Sequence, residues 1–129
     1  MSSIVTTTCD NGSIIRRGSE TRDEGLTLAA AGTVVAGTIL ARDSVSKKLV
    51  LFVKGGTTNQ NGIARAVMGY DFTAPSSGDF LVCALERGHV QRGRLVIAAD
   101  GNGTNVDDVV LDQLRAAGIM PVDVQQLSV

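Results

Sequence analysis

Residues 87–119 limit what this chain can fold into more than any other stretch, because strand, turn and helix follow one another there with each boundary marked. Leu95-Val96-Ile97-Ala98 is a brief β-prone run, and Asp100-Gly101-Asn102-Gly103 behind it reads as a turn, since glycine and asparagine tolerate positive φ. A helix is expected next. Thr104 is placed to cap it through its hydroxyl, and Asp107 and Asp108 set negative charge at the positive end of the dipole. Val106, Val110, Leu114 and Ala117 recur at helical spacing, with Val109 and Leu111 widening the stripe. Gly118 should end the helix in a left-handed conformation that folds Ile119 back onto Leu114, and Pro121 forbids continuation.

Upstream the texture is β. Residues 33–40, 48–53, 63–70, 80–85 and 95–98 are short β-rich runs, separated by Asp43-Ser44, Gly55-Gly56, Pro75-Ser76-Ser77-Gly78 and Arg92-Gly93. Ala31-Gly32-Thr33 recurs as Ala36-Gly37-Thr38, too close for an architectural repeat, so these glycines are expected to mark bends where a ribbon curls. The expected fold class is therefore mainly β with a short C-terminal helix, built as a small bent ribbon or barrel. With only Phe52, Tyr70, Phe72 and Phe80 as aromatics, the core must be packed from Val, Leu, Ile and Ala, and self-association is an inexpensive way to bury more apolar surface.

Residues 1–25 differ from the rest. After the strand-prone Ile4-Val5-Thr6-Thr7-Thr8, only Ile14 and Ile15 are apolar among mixed charges, Gly and Ser up to Gly25. Such a stretch does not bury enough surface to offset its ordering entropy. The expected organisation is thus a flexible arm over residues 1–25 and a β-rich domain over residues 26–129.

Composition narrows the function classes. Twelve basic against thirteen acidic residues give a net charge of -1, which leaves no electrostatic footprint for nucleic acid, and scarce aromatics leave few stacking platforms. No apolar run approaches the roughly 20 residues of a membrane span, and the N-terminus lacks the pattern of a secretory leader, so a soluble protein is expected. Cys9 and Cys83 are read as a tail thiol and a buried core thiol, in keeping with a reducing compartment.

The candidate catalytic features are thin. His89 is the single histidine, which provides no metal cluster or triad and reads as a structural or surface imidazole. Gly55-Gly56-Thr57-Thr58 follows a strand, but Lys54 precedes the glycines where a phosphate loop needs its lysine after them, so a hairpin or loop is expected. Asp100-Gly101-Asn102-Gly103-Thr104 starts like a calcium loop, yet Asn105 stands where that loop has glycine and Leu111 where it has glutamate. Asp107, Asp108 and Asp112 are explained by helix dipole and solvation. No catalytic, cofactor or metal residue is assigned, and the expectation is a structural protein rather than an enzyme.

Four pieces occur in a telling order: Leu28-Ala29-Ala30-Ala31-Gly32-Thr33-Val34 with Ala36-Gly37-Thr38-Ile39-Leu40; Asn61-Gly62 leading into Ala64-Arg65-Ala66-Val67-Met68-Gly69-Tyr70-Asp71; Arg87-Gly88-His89-Val90; and Leu114-Arg115-Ala116-Ala117-Gly118-Ile119. Over roughly residues 26–119 the chain resembles the head decoration protein D family of lambda-like tailed bacteriophages. The resemblance implies a β-clip-type fold assembled as a homotrimer. It also implies a place in the virion, on the outer surface of the expanded head at three-fold positions, stabilising the shell against packaged DNA after synthesis in the host cytoplasm. Family members carry an N-terminal segment that orders on the capsid. Here that segment, with Arg16, Arg17, Glu20, Arg22, Asp23 and Glu24, is more charged than the family pattern, and residues 122–129 extend past the usual end.

The arm carries the expected site. Ile4, Val5, Thr6, Thr7 and Thr8, with Ile14, Ile15, Arg16 and Arg17, are the expected capsid-binding residues, the first five adding as a strand to the major capsid protein. About 25 extended residues reach roughly 80 Å, and three arms on one trimer raise each other's local concentration. Two other classes compete with this reading. A barrel-type carrier domain would use Ser46-Lys47-Lys48 after Gly37-Thr38-Ile39-Leu40-Ala41, without the methionine-flanked lysine such modules have; a small trimeric β-fold nucleotide hydrolase would need an acidic and serine constellation around phosphates.

Overall fold

The structure, a computed structural model, describes residues 20–122. Its elements in chain order are β1 (Glu20–Leu28), β2 (Gly32–Val34), β3 (Ile39–Arg42), β4 (Leu49–Leu51), β5 (Ala64–Met68), β6 (Phe72–Ala74), β7 (Gly78–Gln91), α1 (Asp108–Ala117) and β8 (Ile119–Val122). The main sheet runs β1-β4-β3-β5-β7-β8, and β1 also pairs with β7, so five strands close on themselves while β8 extends the far half of β7. Closure depends on β1, which is parallel to β4 at Leu26↔Leu49 and antiparallel to β7 from Glu20↔Arg87 to Leu28↔Gly78. The chain is mainly β with one short helix and a small barrel-like sheet, as its sequence predicts.

Alternation along the strands makes two apolar layers. Leu26, Leu28, Leu40, Leu49, Ala66, Met68, Val82 and Ala84 form one buried cluster. Ile39, Ala41, Val67 and Leu85 point the other way and pack with Phe52, Ile97, Ile119 and the helix residues Val110, Leu111 and Leu114. Because α1 lies against the second set, the first set fills the inside of the barrel. Small aliphatic side chains suit so narrow a barrel. The β2–β6 ribbon contributes Val34 and Ala74 to the interior cluster and closes one end.

The helix end follows expectation. Gly118 adopts φ 98° and donates to the Arg115 carbonyl at 3.0 Å, and Leu114 and Ile119 are both fully buried in the same cluster. The start does not. Asp107, not Thr104, is the cap: its Oδ1 accepts from the Val109 and Val110 amides at 3.1 and 3.2 Å, while the Thr104 amide donates to Asn102 Oδ1. Lys54 binds the same Asp107 carboxylate at 2.7 Å, giving it a partner that Thr104 lacks. The Ala64 amide donates to Gln113 Oε1 at 2.9 Å and ties α1 to β5.

Three further corrections concern boundaries and cysteine. Residues 20–25, assigned to the arm, are the first part of β1; a ladder to β7 and the ion pair of Glu24 with Arg42 supply the order that apolar side chains do not. The run 33–40 is broken into β2 and β3 by a bend in which Gly37 has φ 93°, and residues 95–98 make only isolated bridges, Thr38↔Val96 and Ile97↔Asn102. Cys83 is buried but disulfide-bonded rather than a thiol, which removes the basis for expecting a reducing compartment. Cys9 lies outside the described residues.

At the sheet's outer row, Gly88 donates to the Gly118 carbonyl at 3.0 Å and pairs with Ile119, and that register brings Pro121 opposite Val90 with its nitrogen turned away from β7. Proline therefore costs the ladder nothing there.

Candidate functional site

The expected capsid-binding residues Ile4, Val5, Thr6, Thr7, Thr8, Ile14, Ile15, Arg16 and Arg17 lie outside the described residues, as does most of the 122–129 tail. The described chain begins where that arm joins the barrel, at Glu20, opposite Arg87. The most densely charged site of the described residues is beside this junction.

It arises from the barrel's own alternation. On β1 the inward stripe Leu28, Leu26 continues to Glu24; on β3, Leu40 continues to Arg42; on β7, Val82 and Ala84 continue to Glu86. Three inward stripes thus end in charge at one mouth of the barrel. Glu86 is the unopposed residue of an irregularity in the β1–β7 ladder, where Thr21 faces Leu85 and Glu20 faces Arg87. A bulge of this kind re-aims a side chain.

Arg42 joins the group. Its Nη1 and Nη2 donate to Glu24 Oε1 and Oε2 at 3.2 and 3.0 Å, a two-pronged pair, and Nη2 also reaches Glu86 Oε2 at 3.3 Å. Nη1 further donates to the Lys47 carbonyl at 2.8 Å, gripping the β3–β4 turn. Arg22, largely exposed, stands 3.7 Å from Glu86 Oε1. The carboxylate side chains are only 17% and 16% exposed, so neither is freely hydrated.

One guanidinium does not serve two carboxylates equally. Burial, followed by the hydrogen bond to Glu24 and its negative charge, pushes Glu86 up to about 7 against the pull of Arg42 and Arg22. Glu24 is held below its ordinary value: burial raises it, but the hydrogen bonds from Arg42 and Glu86 together with the two arginine charges outweigh burial. Arg42 is raised, chiefly by its hydrogen bond to Glu24. Sequence reasoning missed this site because its members are scattered over three strands and each looks like a solvated surface charge; only the inward parity of positions 24, 42 and 86 marks it.

The other candidates have local duties. Lys54, beside Gly55-Gly56, donates to Asp107 and to the Asn105 carbonyl, so it braces the start of α1. Gly55-Gly56-Thr57-Thr58 is a loop, as expected, and Gly56 and Gly62 meet so closely that a Cβ on Gly62 would fall 2.2 Å from the Gly56 oxygen. Asp100 accepts from the Asn105 amide group at 2.9 Å and Gly101 takes φ 73°, the turn expected there. His89 is exposed on β7, opposite Met120. In Ser46-Lys47-Lys48, Lys47 takes φ 68° in the β3–β4 turn and the Lys48 ammonium is bound to Asp79. An open cleft of about 460 Å³ lies between Val35, Ala36, Asp71, Arg94 and Asn102, with Asp71 Oδ1 already accepting the Ala36 amide at 2.7 Å.

Among the described residues no three His, Cys, Asp or Glu side chains are grouped to hold a metal ion, and no helix is long and apolar enough to cross a membrane. No protein-family model matches the chain, and no curated protein matches it.

Proposed function

We propose that this protein is a structural decoration protein of a tailed-phage head. In this reading it binds the outside of the expanded shell as a homotrimer at three-fold positions and reinforces the shell against packaged DNA. The observation that supports it is the order of the fold: a small mainly β barrel, the bend at Gly37, and a late helix stopped at Gly118 occur in the sequence order that the resemblance requires. Leu81, Val109 and Met120, 67%, 64% and 43% exposed, are aliphatic positions available for contacts between copies.

The arm shortens in this reading. Residues 1–19 precede β1. Ile4, Val5, Thr6, Thr7 and Thr8 add as a strand to the major capsid protein, with Ile14, Ile15, Arg16 and Arg17 completing the contact, and three such strands on a trimer give attachment far stronger than one.

The test is cosedimentation with expanded, undecorated capsids of the phage that encodes the chain, beside sedimentation equilibrium of the free protein. Full-length protein is expected to be trimeric and to pellet with capsids, a Cys9→Ser form, which removes the second cysteine but keeps the arm, to do the same, and a form lacking residues 1–18 to stay trimeric and remain in the supernatant. A full-length protein that ignores expanded capsids would overturn the reading; a truncated form that still binds them would move attachment to the barrel.

A further inference from the structure

The barrel mouth holds two inward carboxyls and one arginine that both of them need. Arg42 Nη2 donates to Glu24 Oε2 at 3.0 Å and to Glu86 Oε2 at 3.3 Å, so the two carboxyls meet at one nitrogen with their side chains only 17% and 16% exposed. They come from opposite sides of one seam, β1 and β7, just where the ladder is irregular. We propose that the Glu24–Arg42–Glu86 cluster is a proton-operated clasp, which holds the first half of β1 against β7 while one of the two carboxyls carries a proton and loosens that seam when the proton leaves.

The charges around the clasp set its direction. From β1 come Glu24 and Arg22, from β3 Arg42, from β7 Glu86, and from the β3–β4 turn the Lys47 carbonyl, which uses part of Arg42's donor capacity. β4 and β5 bring the apolar Leu49 and Ala66 to the same interior. With Glu86 protonated, Arg42 is matched by Glu24 alone and no like charges face each other across the seam. With Glu86 ionised, two carboxylates share Arg42 in a partly dehydrated pocket, Arg22 is too exposed to compensate, and like charges push β1 and β7 apart. The raised Glu86 places that change near neutral pH.

The location gives the device a consequence. β1 begins at Glu20, four positions before Glu24, so whatever leads into β1 is rooted beside the clasp. Loosening the seam frees that root without opening the Leu26–Met68 interior. The inference stands apart from the proposed function, since it concerns only the barrel.

The experiment uses the full chain. The side-chain carboxyls are titrated by NMR, and amide exchange is compared at pH 5.5 and 8.5 after correction for intrinsic rates. The Glu86 carboxyl is expected to titrate near neutrality. Opening at residues 21–24 and 84–87 is expected to rise at least about tenfold relative to Ile39 and Val67, a factor equal to one pKa unit. Glu86→Gln, which keeps a hydrogen-bonding group but cannot ionise, should make the seam indifferent to pH. Should that variant fail to fold, Glu24→Gln leaves a single carboxyl facing Arg42, and the Glu86 midpoint should drop towards the ordinary glutamate range. A Glu86 that titrates in that range in the unaltered protein, seam amides that follow the core at both pH values, or a Glu86 midpoint unmoved by Glu24→Gln would each overturn the clasp.

Discussion

The two ends of the barrel close in opposite ways. Where β1 finishes, the plug is apolar: Phe72, on the β6 strand of the β2–β6 ribbon, lies between Tyr70 and Phe80, with its ring centre 6.4 and 5.4 Å from theirs at tilted angles. Where β1 starts, the same inward stripes terminate in Glu24, Arg42 and Glu86. Tyr70, its hydroxyl pushed up by burial, stays neutral through the physiological range, so the aromatic end is indifferent to protons that the charged end senses. A short barrel is thereby given one permanent stopper and one conditional stopper, and what separates them is the chemistry at the last inward position of each strand.

The contrast is testable through four substitutions. Met68→Ala removes fully buried volume from the interior between the ends and should cost about 2 to 5 kcal/mol, equally at pH 5.5 and 8.5, in denaturant melts. A strong pH dependence there would show that the ends are not independent. Arg42→Met should cost about 2 kcal/mol, less than a fully buried pair because the guanidinium is partly exposed, and the loss should be greater at pH 8.5 than at 5.5. The sign follows from the two carboxyls. Glu86 is raised, so its contribution to stability is present below the ordinary glutamate value and is lost as pH rises through about 7; Glu24 is lowered, so its contribution is present above that ordinary value and is lost as pH falls. Phe72→Leu should cost about 0.5 to 1.5 kcal/mol with no change of pH profile. Arg22→Gln is expected to change stability by less than about 0.5 kcal/mol, since this arginine is largely exposed, yet to raise the Glu86 midpoint seen by NMR.

Local signals were legible in the sequence and distant pairings were not. Gly118 with Leu114 and Ile119 marked the helix end because the stop is a property of consecutive residues, and Gly37 marked a bend for the same reason, whereas Gly32 opens β2 opposite Ala74. Asp107 outranked Thr104 as cap because Lys54, far away in sequence, comes to sit against it. The start of β1 was hidden by its charges: Glu24 reads as a solvated residue until Arg42 and Glu86 are beside it. Leu95 and Ile97 were recognised as apolar but do not form the expected strand, since their neighbours offer bridges rather than a ladder. The bond at Cys83 depends on a pairing that spacing alone does not reveal. The expected binding residues, from Ile4 to Arg17, lie outside the described chain.

Pro121 has a bearing on crowding. Wherever many copies are held side by side, a bare strand edge invites its neighbour to continue the sheet and convert an ordered array into a fibre. Among the described residues β8 is the last strand of its sheet, and the outward-facing nitrogen of Pro121 carries no hydrogen, so an incoming strand would find a gap in the row of donors there. The residue that ends the helical pattern in the sequence thus also leaves that edge short of a donor, which disfavours the addition of a further strand there.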